Sequence, residues 1–171
     1  MNIVLVGMMG SGKTSVGQAL AKLTGRRFVD TDALLEERTG RSIPAIFAAD
    51  GEAVFRTLES SVITEVVSLG DLIIATGGGA VLAPANREAL RRTGRVFWLD
   101  APATELYQRA VAQGIAGRPL LVGEDPLGRL TALRVARAEA YGQAAHDRVE
   151  TAGRSPAEVA ELILELLKET T

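Results

Sequence analysis

A glycine-rich stretch that directly follows a short apolar run constrains the fold of this chain more than any other feature. Residues 7–15 read GMMGSGKTS, between an apolar run at residues 3–6 and a helix predicted over residues 13–23. The stretch satisfies the pattern G-x-x-x-x-G-K-[ST] in the strand, loop and helix context that confirms it. Backbone N–H groups of such a loop curl toward an anion, and the helix N-terminus adds positive potential. The motif predicts a nucleoside triphosphate site formed by Gly10, Ser11, Gly12, Lys13, Thr14 and Ser15.

Within this motif Lys13 is expected to reach the outer phosphates, and the Thr14 hydroxyl can ligate Mg²⁺. The alternative interpretation is a glycine-rich turn that only caps a helix. Switch GTPases, motor proteins and small-molecule kinases share the motif, so it does not identify the phosphoryl acceptor. A switch GTPase is disfavoured because the chain has no N-K-x-D sequence. Its one D-x-x-G sequence, residues 125–128, does not end an apolar strand, and we interpret it as a coincidence.

The composition narrows the class of protein. A length of 171 residues fits one domain, and a hydrophobic content of 47% argues against disorder. A formal charge of −2 and an aromatic content of 4% argue against nucleic acid as a partner, which favours a basic face and stacking aromatics. No apolar run is long enough to span a membrane, and the first residues lack the basic start of a signal peptide. Cysteine is absent, which fits a reducing compartment, so we expect a cytoplasmic protein.

Short apolar runs alternate with longer amphipathic segments, which is typical of βα units and a parallel sheet. Strands are predicted over residues 3–6, 27–30, 72–75, 96–99 and 148–150. Helices are predicted over residues 13–23, 32–39, 52–68, 85–92, 103–111, 127–141 and 156–168. Residues 112–128 contain four glycines and two prolines. They predict a long loop, and such loops are lids or binding loops, or else disordered.

Two carboxylates follow the second predicted strand in the sequence FVDTD. Asp30 and Asp32 lie where the strand ends and a helix begins, and ligands bind at this edge of an open parallel sheet. One carboxylate could hold Mg²⁺ through water while the other hydrogen-bonds an acceptor hydroxyl. The alternative interpretation is that either residue caps the helix N-terminus.

Arg56 has Glu52 four residues before it and Glu59 three residues after it, which puts all three side chains on one helix face. By itself this spacing is typical of a solvated ion-pair ladder. The sequence TGGGAV, residues 76–81, ends the third predicted strand. Its glycines either let the backbone approach a ligand closely or form an irregular turn.

Two further arginines, Arg118 and Arg137, are ordinary surface residues when each is considered alone. Considered with Arg56 and the carboxylates, they suit one kind of acceptor. Guanidinium groups bind a carboxylate, a carboxylate binds a hydroxyl group, and a transferring phosphoryl group needs a mobile positive charge.

The whole set of motifs resembles the shikimate kinase family. Six segments occur in family order and with family-like spacing: GMMGSGKTS, FVDTD, TGRSIPAIFAADGEAVFRTLE, ATGGGAV, GRPLL and ARAEAY. Gluconate kinases and nucleotide kinases share the first motif but not the combination. The resemblance implies a three-layer α/β fold like that of nucleoside monophosphate kinases, with a five-stranded parallel sheet in the order 2-3-1-4-5. It implies ATP-dependent phosphorylation of the 3-hydroxyl of shikimate, a step of chorismate and aromatic amino acid biosynthesis.

The resemblance also implies roles for individual residues. The catalytic residues are Lys13, Asp32 and Arg118, and Asp32 binds the acceptor hydroxyls and takes the proton. One Mg²⁺ is held by Thr14 and, through water, by Asp30. Shikimate is bound by Asp32, Phe47, Phe55, Arg56, Glu59, Gly77, Gly78, Gly79 and Arg137, with Glu59 orienting Arg56. ATP is contacted by Arg118, and its adenine by Arg109 and Pro156.

We therefore expect one kinase domain over residues 1–171, with a shikimate-binding region at residues 31–60 and a lid at residues 112–128. The expected partners are ATP and shikimate, bound by a monomer that contacts neither nucleic acid nor membrane. A kinase for another hydroxy acid such as gluconate would use the same charge logic, and only the motif set disfavours it. A nucleotide-binding module without catalysis is disfavoured because every catalytic position is present.

Overall fold

The computed structural model describes residues 1–114 and 123–169, which form an α/β fold. The strands are β1 (Asn2–Val6), β2 (Phe28–Asp30), β3 (Ile73–Ala75), β4 (Gly94–Asp100) and β5 (Asp147–Glu150). The helices are α1 (Lys13–Thr24), α2 (Thr31–Thr39), α3 (Ile43–Asp50), α4 (Glu52–Leu69), α5 (Pro84–Thr93), α6 (Ala103–Ala112), α7 (Pro126–Ala144) and α8 (Pro156–Lys168). A 3₁₀ turn, Ala80–Leu82, separates β3 from α5. None of the described helices is long and apolar enough to cross a membrane.

The strands pair in parallel in the order β2-β3-β1-β4-β5, which confirms the predicted sheet. β1 is a middle strand, with Ile3 beside Ile73 of β3 and Val4 beside Val96 of β4. All five residues of β1 are buried, as expected for a parallel strand covered on both faces. The carboxyl ends of β1, β2 and β3 therefore lie side by side and form one edge.

Two apolar clusters cover the two faces of the sheet. Val4 and Val6 belong to the larger cluster, with residues of α4, α5 and α7. Ile3 and Leu5 belong to the other cluster, with residues of α1 and α8. Alternate residues of β1 contribute to opposite clusters because successive side chains of a strand point to opposite faces. The result is the predicted three-layer arrangement.

Helix α3 is absent from the sequence-based prediction. Its eight residues, IPAIFAAD, are too short and too uniformly apolar to show a helical period. The helix forms because the Ser42 side chain accepts a hydrogen bond from the Ala45 N–H at 3.3 Å, and Pro44 occupies the first turn. Glu36 of α2 also accepts from the Ile43 N–H at 2.8 Å, which ties the two helices together.

The predicted loop over residues 112–128 is too long at both ends. Ala112 is the last residue of α6, and Pro126 is the first residue of α7. The Asp125 side chain accepts a hydrogen bond from the Gly128 N–H at 3.0 Å, so the D-x-x-G sequence is a helix cap. Residues 115–122 of the predicted lid lie outside the described residues. The other predicted elements agree with the structure to within three residues at each end.

Candidate active site

A cavity of about 870 Å³ opens at the carboxyl ends of β1, β2 and β3. Its walls come from the loop after β1, the start of α2, α3, one face of α4, the glycine loop after β3, and α7. The predicted acceptor residues all line it: Asp32, Phe47, Phe55, Arg56, Glu59, Gly77, Gly78, Gly79 and Arg137. Residues of the predicted phosphate loop line the same cavity: Gly10, Gly12, Lys13, Thr14 and Ser15. The fold thus brings the two predicted binding regions into one space.

The phosphate loop, residues 7–15, depends on left-handed backbone conformations. Gly10 and Gly12 have φ angles of 76° and 94°, which residues with a β-carbon rarely adopt. The Lys13 ammonium donates to the carbonyl oxygens of Gly7 and Met8, at 2.8 Å and 2.9 Å. Lys13 therefore lies over the loop, within the cradle where an anion would bind.

Thr14 and Asp30 meet beside this loop. The Thr14 hydroxyl donates to Oδ2 of Asp30 at 3.1 Å. The other oxygen, Oδ1, accepts from the N–H groups of Asp32 and Ala33 at 3.0 Å and 3.2 Å, so Asp30 caps α2. The capping interpretation is confirmed for Asp30, and it leaves Oδ2 directed at Thr14.

The Thr14 hydroxyl oxygen and Oδ2 of Asp30 are suitable ligands for Mg²⁺. The described part of the chain has no group of three or more His, Cys, Asp or Glu side chains that could hold a metal ion. Mg²⁺ is normally bound by one or two protein oxygens, with waters and substrate phosphates completing its shell. A hydroxyl beside a carboxylate at a phosphate loop fits an ion that arrives with a nucleotide.

Asp32 faces the cavity from the first turn of α2. Its Oδ1 is buried, and no described residue hydrogen-bonds it. Burial raises the pKa of Asp32 to about 6, with the carboxylates of Asp30 and Glu59 adding to the effect and the Lys13 ammonium opposing it. A buried carboxylate oxygen without a partner calls for a hydrogen-bond donor, and a hydroxyl group of a ligand could supply one.

The glycine loop, residues 77–79, admits charged side chains against the backbone. An ideal β-carbon at Gly77 would lie 2.6 Å from Oδ1 of Asp32. One at Gly79 would lie 2.4 Å from Nη2 of Arg56. Both distances are far below van der Waals contact, so these positions accept only glycine if the two charged groups are to stay where they are.

Arg56 forms ion pairs of unequal character with its two predicted partners. Its Nη1 donates to Oε2 of Glu59 at 2.8 Å, and its Nη2 to Oε1 of Glu52 at 3.4 Å. The Glu59 side chain is 2% exposed and the Glu52 side chain 66%. Burial raises the pKa of Glu59, and its hydrogen bond with Arg56 partly offsets this. A solvated ladder is therefore the wrong interpretation for the Glu59 half.

Arg137 reaches the glycine loop from α7. Its Nη1 is 3.3 Å from the position of a β-carbon on Gly78. Its Nε is buried without a hydrogen-bond partner among residues 1–114 and 123–169. Tyr141, one turn further along α7, is fully buried and donates to the Gly78 carbonyl at 2.6 Å. Sequence reasoning missed Tyr141, although its spacing of four residues from Arg137 puts both on one helix face.

Phe47 of α3 and Phe55 of α4 form an apolar wall of the cavity. Their ring centroids are 4.6 Å apart, and the Arg56 guanidinium lies 5.1 Å from the Phe55 ring centroid. Ile43 and Pro44 also line the cavity. Sequence reasoning missed these two, which lie in the first turn of the unpredicted helix α3.

A smaller cavity of about 110 Å³ adjoins the phosphate loop between α6 and α8. Arg109 and Pro156 line it, as does Ser11 of the phosphate loop. Arg109 donates to Oγ1 and the carbonyl oxygen of Thr151 at 2.9 Å and 2.8 Å, and it pairs with Glu105. Five further lining residues were not predicted: Val16, Gln113, Thr151, Arg154 and Val159. The predicted residue Arg118 lies outside the described residues.

Comparison with known proteins identifies the family. A family model described as "Shikimate kinase" matches residues 9–168. The chain belongs to the shikimate kinase family. The curated shikimate kinase of Symbiobacterium thermophilum is 57% identical over 169 residues, which are 99% of this chain and 97% of that relative.

Solved structures agree with this result. Shikimate kinase from Acinetobacter baumannii in complex with shikimate has a TM-score of 0.94 and 42% identity, over 99% of this chain and 94% of that one. A gluconokinase from Sinorhizobium meliloti 1021 has a TM-score of 0.59 and 17% identity, over 99% of this chain and 92% of that one. The second likeness concerns the fold alone. Membership of the shikimate kinase family confirms the predicted fold and the predicted class of activity, an ATP-dependent phosphotransferase.

Proposed function

We propose that this cavity transfers the γ-phosphoryl group of ATP to the 3-hydroxyl of shikimate. The observation that carries the proposal is the location of Asp32. Asp32 lines the same cavity as the phosphate loop, Arg56 and Arg137, and its buried Oδ1 has no hydrogen-bond partner among the described residues. A ring ligand whose carboxylate binds these arginines presents its hydroxyl groups to Asp32 and to the bound nucleotide.

On the acceptor side, Arg56 and Arg137 bind the shikimate carboxylate through charge-assisted hydrogen bonds. Glu59 holds the Arg56 guanidinium at 2.8 Å. Phe47 and Phe55 contact the apolar part of the ring. The backbone of Gly77, Gly78 and Gly79 approaches the ligand closely, since no side chain intervenes.

On the donor side, the loop N–H groups and the start of α1 bind the phosphates. Ser11, Ser15 and the other loop residues surround them, and Arg109 and Pro156 enclose the adenine. Thr14 and, through water, Asp30 would hold Mg²⁺, which would supply positive charge against the phosphates when bound. The fit of this ion rests on the hydroxyl and carboxylate pair at 3.1 Å.

The chemistry requires alignment and charge neutralisation rather than covalent help from the protein. The shikimate 3-hydroxyl oxygen forms a bond to the γ-phosphorus, the bond from that phosphorus to the leaving oxygen of ADP breaks, and Asp32 accepts the hydroxyl proton. Lys13 stabilises the charge on the transferring group after exchanging the Gly7 and Met8 carbonyls for phosphate oxygens. Arg118, assigned from the GRPLL motif, adds a further positive charge near the transferring phosphoryl group.

A coupled assay of ADP release tests the proposal, with shikimate, quinate and gluconate as alternative acceptors. Release that requires shikimate and is slow with the other two acids is the expected result. For Asp32→Asn, calorimetry should show that nucleotide binding is retained, and the coupled assay should show that phosphoryl transfer is lost. Faster release with gluconate than with shikimate would overturn the acceptor assignment. Cytoplasmic localisation and a monomeric state stay predictions from the sequence.

A further inference from the structure

The last residue of β4, Asp100, contacts elements on both sides of the site although it lines neither cavity. Its carboxylate is 1% exposed and binds two guanidinium groups. Arg134 of α7 makes a two-pronged contact, from Nε to Oδ1 at 3.0 Å and from Nη2 to Oδ2 at 2.7 Å. Arg148 of β5 adds one contact at 2.6 Å. Parallel contacts of this kind fix a guanidinium in orientation as well as in distance.

Arg134 precedes Arg137 by three residues on the same helix, so both lie on one face of α7. Tyr141 follows Arg137 by four residues on that face and donates to the Gly78 carbonyl at 2.6 Å. Arg137 thus lies between two fixed points of the helix, one joined to Asp100 and one to the glycine loop. Its own Nε has no hydrogen-bond partner among the described residues. The Arg137 guanidinium also hydrogen-bonds the Tyr141 side chain, so its orientation depends on where these two points hold α7.

The nucleotide side uses a different part of the same residue. The backbone carbonyl of Asp100 accepts from the N–H and the hydroxyl of Thr151, at 2.8 Å and 3.2 Å. Thr151 in turn accepts two hydrogen bonds from Arg109 beside the smaller cavity. A change of the Asp100 or Arg134 side chain leaves these backbone-based contacts in place.

We infer that Asp100 and Arg134 are positioning residues for the acceptor site, which aim Arg137 at the shikimate carboxylate by holding α7 against the end of β4. This inference rests on the proposed function of Arg137. The arrangement separates the two substrates: loss of the side-chain contact disturbs shikimate binding and not ATP binding.

Arg134→Gln is the most informative substitution. It removes the two-pronged contact but leaves Asp100 paired with Arg148, so no unpaired charge is buried. We expect the KM for shikimate to rise on the order of 10-fold, because a small misplacement of a binding group is costly. The KM for ATP should stay within about twofold of the wild-type value, because the nucleotide-side contacts remain in place. A rise in KM for shikimate alone indicates that only the binding of shikimate is weakened. Arg134→Lys should recover only part of the shikimate affinity, because an ammonium group lacks the planar fork of a guanidinium.

Arg95→Gln provides a matched control. Arg95 of β4 pairs with Asp147 of β5 at 2.9 Å, and these are the two strands that Asp100 and Arg148 also join. The Arg95 side chain is 20% exposed, close to the 28% of Arg134. This pair does not involve α7. The control should leave both KM values unchanged, whereas a general loosening of this sheet edge would change them in both variants.

A double-mutant cycle with Arg137→Gln tests whether Arg134 acts through Arg137. Coupled residues give effects that do not add, so Arg134→Gln should cause little further rise in shikimate KM when Arg137 is already Gln. Additive effects, or equal rises of both KM values, would overturn the inference. If Arg137→Gln raises the KM for shikimate as expected but Arg134→Gln does not change it, the inference is overturned and the proposed role of Arg137 stands. Arg137→Gln with wild-type shikimate KM would overturn both the acceptor role of Arg137 and the inference.

Discussion

The Arg56 guanidinium occupies the space next to Gly79 that a side chain would need. An ideal β-carbon at residue 79 would lie 2.4 Å from Nη2 and 2.5 Å from Nη1 of Arg56. The φ angle of Gly79 is −95°, so an alanine could adopt this backbone conformation without strain. The obstacle is therefore Arg56 itself, the end of a flexible side chain that can move away.

Gly79→Ala should consequently give a folded enzyme with a displaced Arg56. We expect the KM for shikimate to rise about 10-fold or more, the scale of one lost charge-assisted hydrogen bond, and the melting temperature to fall, because the buried Glu59 loses its partner. Gly142→Ala is the matched control, because it lies in α7 and a β-carbon there meets nothing within 4 Å. Steady-state kinetics with both substrates checks the prediction. An unchanged shikimate KM in Gly79→Ala would contradict it.

Glu59 and Glu52 offer a paired test of what holds Arg56 in place. Glu59→Gln removes the negative charge of a buried partner at 2.8 Å, whereas Glu52→Gln removes that of an exposed partner at 3.4 Å. We expect Glu59→Gln to raise the shikimate KM by about 10-fold, since contacts of exposed pairs contribute little and buried ones more. Glu52→Gln should be close to wild type. Equal kinetic effects of the two substitutions would mean that Arg56 is held by its helix rather than by Glu59.

Local sequence signals account for much of the fold and for the residue types of the site. The phosphate loop, the FVDTD segment and the glycine loop each follow a strand, and parallel strands bring their carboxyl ends to one edge. Their convergence on one cavity could therefore be predicted. Helix α3 could not, because eight mostly apolar residues carry no period and its start depends on a tertiary hydrogen bond from Ile43 to Glu36.

Contacts between distant segments lay beyond sequence reasoning for a different reason. The partners of Asp100 are 34 and 48 residues away, and Tyr141 binds a carbonyl 63 residues away. No local spacing reveals such pairs. The burial of Glu59 was equally invisible, since the same i, i+3 spacing with Arg56 occurs on solvated helix faces.

Asp30 uses its two oxygens for different purposes, which makes two substitutions distinguishable. Asp30→Asn keeps Oδ1, which caps α2, and replaces Oδ2, which contacts Thr14 at 3.1 Å, with an amide that cannot accept. We expect its melting temperature to match wild type and the Mg²⁺ concentration for half-maximal activity to rise. Asp30→Ala should show the same Mg²⁺ effect and also lose about 1 kcal/mol of stability with the cap. A magnesium titration and thermal denaturation check this; an Asn variant with a wild-type Mg²⁺ requirement would contradict the metal role.

The charge of Asp32 serves catalysis but lowers the stability of the folded protein. Its pKa in the folded protein is about 6, above the ordinary value of 3.8, chiefly because of burial. Between these two pH values the folded protein binds a proton that the unfolded chain has lost, so the stability contributed by the neutral group declines as pH rises through 6. At neutral pH the buried charge costs on the order of 2–3 kcal/mol.

Asp32→Asn should therefore be more stable than wild type at pH 8 and nearly inactive. Without Mg²⁺ or nucleotide, we expect its melting temperature to exceed that of wild type by roughly 4–12 °C at pH 8, with no difference near pH 4. Its kcat should fall on the order of 10²-fold or more, because the group that accepts the proton is gone. Asp71→Asn, at a mostly exposed carboxylate, is the control and should show neither effect. An Asp32→Asn protein that is less stable at pH 8, or whose gain in stability is the same at both pH values, would contradict the assignment of a buried charge to Asp32.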